Sequence, residues 1–168
     1  MNQKVLKTLE YNKIIHQLTG YAASAPGKLL CQNLLPMSDF HEIVQAQTET
    51  SDALTRVRMK GSLSLSGIRD VRDSLKRLEI GSALGIPELL SISSLLTCSA
   101  RAKAYGRHED VDEENDGLSD SLEPMFAALE PLTPLNQEIK RCILSEDEVA
   151  DDASPGLSHV RRAMKLAA

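Results

Sequence analysis

The sequence predicts an all-α protein. Of its 168 residues 42% are hydrophobic, enough to bury a core, yet only five are aromatic (Tyr11, Tyr21, Phe40, Tyr105 and Phe126) and none is Trp. Sandwiches and barrels draw heavily on aromatic and β-branched side chains, whereas Leu and Ala, which dominate here, are the best helix formers. The apolar positions also recur at helical spacing along most of the chain.

Val5, Leu6, Leu9, Ile14, Ile15 and Leu18 mark a first helix running to about Ala23, broken near Glu10 to Asn12. Ser24-Ala25-Pro26-Gly27 punctuates the chain, and Pro26 suits a first helical turn because its missing N–H would have no partner there. A short helix follows through Leu35, and Pro36 ends it. Ser38 is the expected N-cap of a long helix from Asp39 to about Met59, with Ile43, Val44, Ala46, Thr50, Ala53, Leu54 and Val57 on its apolar face. Gly61 stops it. Residues 62–67 alternate Ser and Leu and read as an extended connector rather than a paired strand.

A helix from Ile68 or Arg69 to about Leu78 should turn Val71, Leu75 and Leu78 inward. Pro87 opens another, to about Tyr105, with Leu89, Leu90, Ile92, Leu95, Leu96 and Ala100 on its buried side. Glu109 to Asp116 holds six acids in eight positions, a self-repelling run that reads as a solvated loop. Helices resume at 119–129 and 134–143. Residues 142–151, with apolar positions flanking a polar turn, are expected to form one small β-hairpin. Ser154-Pro155 starts a last helix through Leu157, Val160 and Met164. No terminator follows it, so the chain reads as a helical core domain over 1–164 cut from something longer, with 165–168 a possible vector-derived tail.

Charge is unevenly spread. Residues 1–105 carry 13 basic and 9 acidic side chains, and residues 106–168 carry 6 and 15, so the net charge of −5 describes neither part. No apolar run approaches the roughly 20 residues of a membrane span. Three dispersed cysteines (Cys31, Cys98, Cys142), without a C-x-x-C pair, fit reduced thiols in a soluble cytoplasmic protein. Cys98 and Cys142 lie on apolar faces and should pack as small hydrophobes.

The residues carry no catalytic motif. Gly27-Lys28 is followed by Leu29, which removes the hydroxyl that a phosphate-binding loop needs for magnesium. His41-Glu42 lacks a second histidine for zinc, and His16, His108 and His159 lie far from the cysteines in sequence. No catalytic, cofactor-binding or metal site is expected within these residues. One cluster stands out: Arg56, Arg58, Lys60, Arg69, Arg72, Lys76 and Arg77 place seven basic groups in 22 residues. They could contact nucleic-acid phosphates without reading sequence. The better-supported alternative is a solvated face paired with Asp52, Asp70, Asp73 and Glu79.

The blocks Lys60-Gly61-Ser62-Leu63-Ser64-Leu65-Ser66-Gly67-Ile68-Arg69-Asp70-Val71 and Ser74-Leu75-Lys76-Arg77-Leu78-Glu79-Ile80-Gly81 resemble the N-terminal region of the bacterial MutS-two family. So do the opening Lys4-Val5-Leu6-Lys7-Thr8-Leu9-Glu10-Tyr11 and Thr50-Ser51-Asp52-Ala53-Leu54. Ala153-Ser154-Pro155-Gly156-Leu157, leading into Val160-Arg161-Arg162, is similar to the point where that family's lever helix begins. The resemblance runs over almost all of residues 1–164, with 107–120 least typical.

It implies the core portion of a homodimeric MutS-like ATPase of the mismatch-repair family. The remaining domains of such a chain are a lever, a DNA clamp, an ATPase using ATP and Mg, and usually a C-terminal Smr endonuclease domain. Family functions are recombination suppression through branched DNA and rescue of collided ribosomes, a form of ribosome quality control involving rRNA binding. No family catalytic residue falls within these residues. The different-class alternative is a free-standing helical protein-interaction module. A third reading, an enzyme in its own right, needs a reactive site that the sequence does not display.

Overall fold

The protein is described by a computed structural model, in which residues 3–107 and 120–167 are described. Among them the elements are α1 (Gln3–Thr8), α2 (Tyr11–Tyr21), α3 (Ala25–Gln32), α4 (Phe40–Lys60), α5 (Arg72–Glu79), α6 (Ile86–Gly106), α7 (Glu123–Ala127), α8 (Thr133–Cys142) and α9 (Pro155–Ala167). The all-α class is what the sequence implies. The acidic run 109–116 and His108 lie outside the described residues. The chain forms two compact units, Met1–Ile68 with Cys98–Leu129, and Arg69–Thr97 with Glu130–Ala168.

In the first unit, Glu10 adopts a left-handed conformation (φ 53°) that separates α1 from α2, where the sequence places a break. Ser24 caps α3 by accepting the Gly27 N–H at 3.1 Å, with proline in the first turn. The cap of α4 is Asp39 rather than the expected Ser38: one Oδ1 accepts the N–H groups of His41 (2.9 Å) and Glu42 (3.0 Å). A carboxylate adds a full negative charge at the positive helix end, which a hydroxyl lacks. Gly61 closes α4 at φ 77°, a region that non-glycine residues rarely occupy.

Within α4, Ile43, Ala46 and Ala53 are half-buried, whereas Val44, Leu54 and Val57 are exposed. Among the described residues of this unit the buried ones are small, Cys98, Ala102 and Gly106, joined by the charged Arg56. The Cys98 thiol donates to the Ser64 carbonyl.

The second unit buries Val71, Leu96, Ile139, Ile143 and Ala150. Here α5 begins later than expected, at Arg72, and only Val71 turns fully inward; Leu75 and Leu78 are each 46% exposed. A buried polar network joins α6 to α8. Ser93 Oγ donates to Asn136 Oδ1 at 2.7 Å, and Asn136 Nδ2 donates to Thr97 Oγ1 at 3.0 Å. Each buried polar group has a partner, so the network costs little desolvation and fixes one register of the two helices.

The predicted β-hairpin at 142–151 is not formed. Among the described residues there is a single antiparallel bridge, Ile143 to Val149, and no strand. Helix α8 persists through Cys142 and α9 starts at Pro155, leaving a short connector with a polar turn at its middle. One bridge with its Leu144-to-Glu148 and Ala150-to-Cys142 bonds is all that length supports. The three cysteines are free thiols. No helix of the described residues is long and apolar enough to cross a membrane.

Candidate nucleic-acid interface

The seven basic residues divide between the units. Arg56, Arg58 and Lys60 lie on the last turns of α4. There Asp52, Arg56 and Lys60 recur every four residues, which puts them on one stripe of the helix. Asp52 accepts from the Ser121 N–H (2.9 Å) and hydroxyl (2.6 Å). Arg56 is only 6% exposed. Its Nε and Nη2 both donate to the Asp120 carboxylate, the latter at 2.8 Å, and its Nη1 donates to the Gly106 carbonyl at 3.2 Å.

The guanidinium also lies 5.0 Å from the Phe126 ring centroid, a cation–π contact, and Phe126 meets Tyr105 edge-on at 5.8 Å. Hydrogen bonds from Arg56, outweighing burial, hold the Asp120 carboxyl below its ordinary pKa, and Asp120 in turn raises that of Arg56. Enclosed in this way, Arg56 has no face left for a phosphate. Lys60 donates to the Tyr105 carbonyl at 3.3 Å and also to the Arg107 carbonyl. Arg58 is exposed to solvent.

The other four lie at or near α5. Arg72 chelates Asp70 through Nε (2.9 and 3.0 Å) and Nη2, and its own N–H donates to the same carboxylate. Those bonds pull the Asp70 carboxyl down to about 2. Lys76 pairs with Asp73 at 3.1 Å. Arg77 reaches Glu88 at 2.7 Å and the Ala83 carbonyl at 3.2 Å. Glu88 also accepts from the Gly85 N–H and the Ser74 hydroxyl, and the Gly85 bond leads in depressing its pKa. Arg69 is exposed.

Much of the positive charge on α5 is therefore matched by carboxylates. Asp70 and Asp73 are the partners the sequence suggests. Glu88 takes the place of Glu79, and Asp52 serves Ser121 instead of a cation. Among the described residues no group of three or more His, Cys, Asp or Glu side chains could hold a metal ion.

A further feature has no signature in the local sequence pattern. A surface groove of about 420 Å³ in the first unit is lined chiefly by Tyr11, Leu34, Leu35, Met37, Ile43 and Ala46. The Tyr11 hydroxyl donates to the Leu34 carbonyl at 3.2 Å and ties one wall of it.

No family model matches the chain. Comparison with curated proteins is decisive instead. The chain is 55% identical over 167 residues to Endonuclease MutS2 of Lachnoclostridium phytofermentans, covering 99% of this chain and 21% of that protein. It is 50% identical over 165 residues to Endonuclease MutS2 of Agathobacter rectalis (98% and 20%), and 42% identical over 167 residues to that of Lachnospira eligens (99% and 20%). A helical chain with such relatives is a part of a MutS-type protein. More particularly, it belongs to the MutS-two, or MutS2, family, as the N-terminal part of such a protein. The chain spans about a fifth of the length of the curated relatives it matches.

Proposed function

We propose that this chain is a non-catalytic core and connector portion of a MutS-type DNA-binding ATPase. In this reading the ATP-binding, magnesium-dependent and endonuclease chemistry belongs to other parts of the polypeptide. The observation that carries it is the 55% identity across nearly the whole chain to a protein named Endonuclease MutS2, of which the matched stretch is only 21%. The full-length protein is a cytoplasmic homodimer that binds branched DNA, suppresses homologous recombination and rescues collided ribosomes. The direct partners of this portion are the lever, clamp and ATPase domains of the same polypeptide.

The helices suit that task. Helices α4 and α6 have 21 residues each, about 30 Å at roughly 1.5 Å per residue. Packed interiors are close to incompressible, so such elements pass on a rigid-body rotation with little loss. Direct DNA contact through α5 is the weaker part of the reading, because Arg72, Lys76 and Arg77 each already have a carboxylate. Charge reversal at Arg69 and Arg72 in the full-length protein is therefore expected to leave DNA binding unchanged.

The test is a chimera in which this chain replaces the matching fifth of the L. phytofermentans protein. The chimera should retain coupling between DNA binding and ATP hydrolysis. Adding Leu96→Ala, a cavity in the second unit, should loosen that coupling and spare basal nucleotide binding. Equal coupling in a demonstrably destabilised variant counts against the proposal, and robust ATPase activity of the 168-residue chain alone overturns it. The apolar groove beside Tyr11 favours a second reading, a helical protein-interaction module. Sedimentation with and without the remaining domains separates the two.

A further inference from the structure

Helix α9 has no buried residue, and Val160 (53%) and Met164 (66%) are largely in solvent. Leu157 in its first turn is half-buried, and beyond that turn what ties the helix to its own unit is charge. Arg161 Nη1 donates to the Val149 carbonyl at 2.8 Å and to Asp151 Oδ1, while Lys165 Nζ, one turn further on and inside the 167 residues matched by the L. phytofermentans protein rather than in a foreign tail, donates to Asp151 Oδ2 at 3.0 Å. Both oxygens of one carboxylate are thus taken by two cations on the same face of α9. The Asp151 carboxyl sits below its ordinary pKa, Arg161 being the main cause.

The post to which α9 is strapped is firm. Ile143 and Ala150 are buried, and the bonds from Leu144 to Glu148 and from Ala150 to Cys142, each 2.9 Å, brace the connector. From the other side Arg141 of α8 donates to the carbonyls of Asp152 (3.0 Å) and Ala153 (3.4 Å), and Glu138 holds Arg141 in place. Ser154 caps α9 by accepting the Leu157 N–H at 3.2 Å.

We infer that Asp151 is a positioning residue that locks the direction in which α9 leaves this unit, and that the lock is electrostatic, so it yields to salt. Asp151, Arg161 and Lys165 remain 59%, 35% and 74% exposed. Exposed pairs are weak singly and are screened beyond roughly 3 Å in 1 M salt. The joint at the root of α9 is therefore adjustable, where an apolar contact would tighten with salt. Its use in passing a domain movement along α9 rests on the connector reading above; the lock itself does not.

Double electron–electron resonance on the 168-residue chain reads it directly. Spin labels carried by non-canonical amino acids at positions 140 and 164, both exposed, leave the three cysteines untouched. The wild type at low salt should give one narrow distance distribution. Asp151→Asn should broaden it about twofold, 1 M NaCl should broaden the wild type to the same width, and Asp151→Glu should restore the narrow one. An Asn variant as narrow as the wild type overturns the inference. So does a wild type indifferent to salt, or a loss of helicity in Asp151→Asn, which would make Asp151 a folding residue. These outcomes stand apart from the chimera experiment, which can fail while the lock holds.

Discussion

Removing the Arg56 guanidinium is the most informative single perturbation of the first unit. Arg56→Met keeps the aliphatic stem but deletes two bonds to Asp120, one to the Gly106 carbonyl and the cation–π contact with Phe126. Breaking a buried pair by deleting one partner costs roughly 3–5 kcal/mol, because the other charge stays enclosed. Asp120 is 15% exposed and keeps bonds from the Leu122 (3.0 Å) and Glu123 (3.1 Å) N–H groups, which favours the lower end. The expected loss is ~3 kcal/mol.

With an m-value of about 2 kcal/mol per molar urea, the midpoint by circular dichroism at 222 nm falls by roughly 1.5 M. The double variant Arg56→Met/Asp120→Asn should recover part of this, since no unpaired charge remains and the amide oxygen can still accept both N–H bonds. A single variant within about 0.5 kcal/mol of wild type, or a double variant worse than the sum of the singles, refutes the reasoning.

The same pair sets an acid dependence. The folded-state pKa of Asp120 is lowered, so its contribution is fully present above the unfolded value near 3.8 and is lost as pH falls through the lower folded value. Urea midpoints measured from pH 6 downward should drop below about pH 4, and Arg56→Met should lose less across that window. At Gly106 an added Cβ would stand 2.1 Å from Phe126 Cβ and 2.5 Å from its Cγ. Gly106→Ala should therefore cost about 1–3 kcal/mol and alter the near-UV signal of Tyr105, which Phe126 touches. In the second unit, Asn136→Ala takes away the acceptor of the Ser93 hydroxyl, while the Thr97 hydroxyl loses a donor but keeps its bond to the Ser93 carbonyl; it should cost roughly 1–3 kcal/mol in urea unfolding. Adding Ser93→Ala should then cost less than it does alone.

The helices were legible because their signals are local. Pro26, Gly61 and Pro155 act within a turn of themselves, and the apolar spacing of 87–105 needs no distant partner to be read. Sequence and structure part where two influences compete at short range. Ser38 and Asp39 are both good caps, and only the backbone shows the carboxylate receiving the N–H groups. The hairpin does not form because apolar positions flanking a polar turn say nothing of the preceding helix, which runs on through Cys142 and leaves room for one bridge before α9 starts at Pro155. Leu75 and Leu78 have the spacing of a buried face, but periodicity cannot say whether a neighbour covers it.

The candidate site was least legible. Composition finds the basic run but not its neutralisation, since Glu88 reaches Arg77 only because the chain turns at Gly81 (φ 79°). Asp120, 64 residues from Arg56, left no trace in any local pattern. The four-residue recurrence of Asp52, Arg56 and Lys60 was visible, yet a polar stripe on a long helix reads as a wet face until its partners are seen.

That stripe explains how a chain with five aromatic residues holds long helices in place. Among the described residues of the first unit the buried apolar side chains are Cys98 and Ala102, which are small and supply little transfer energy. Orientation falls instead to polar side chains that reach backbone carbonyls: Arg56 to Gly106, Lys60 to Tyr105 and Arg107, Tyr105 to Gly61. The second unit repeats the device with Arg141 and Arg161. Such ties are directional, so they fix the angle of a helix more sharply than apolar contact of equal area, which tolerates sliding. They also yield to changes in charge. A portion proposed to pass movement between distant domains needs helices stiff along their length and joints that can be set, and this division of labour supplies both.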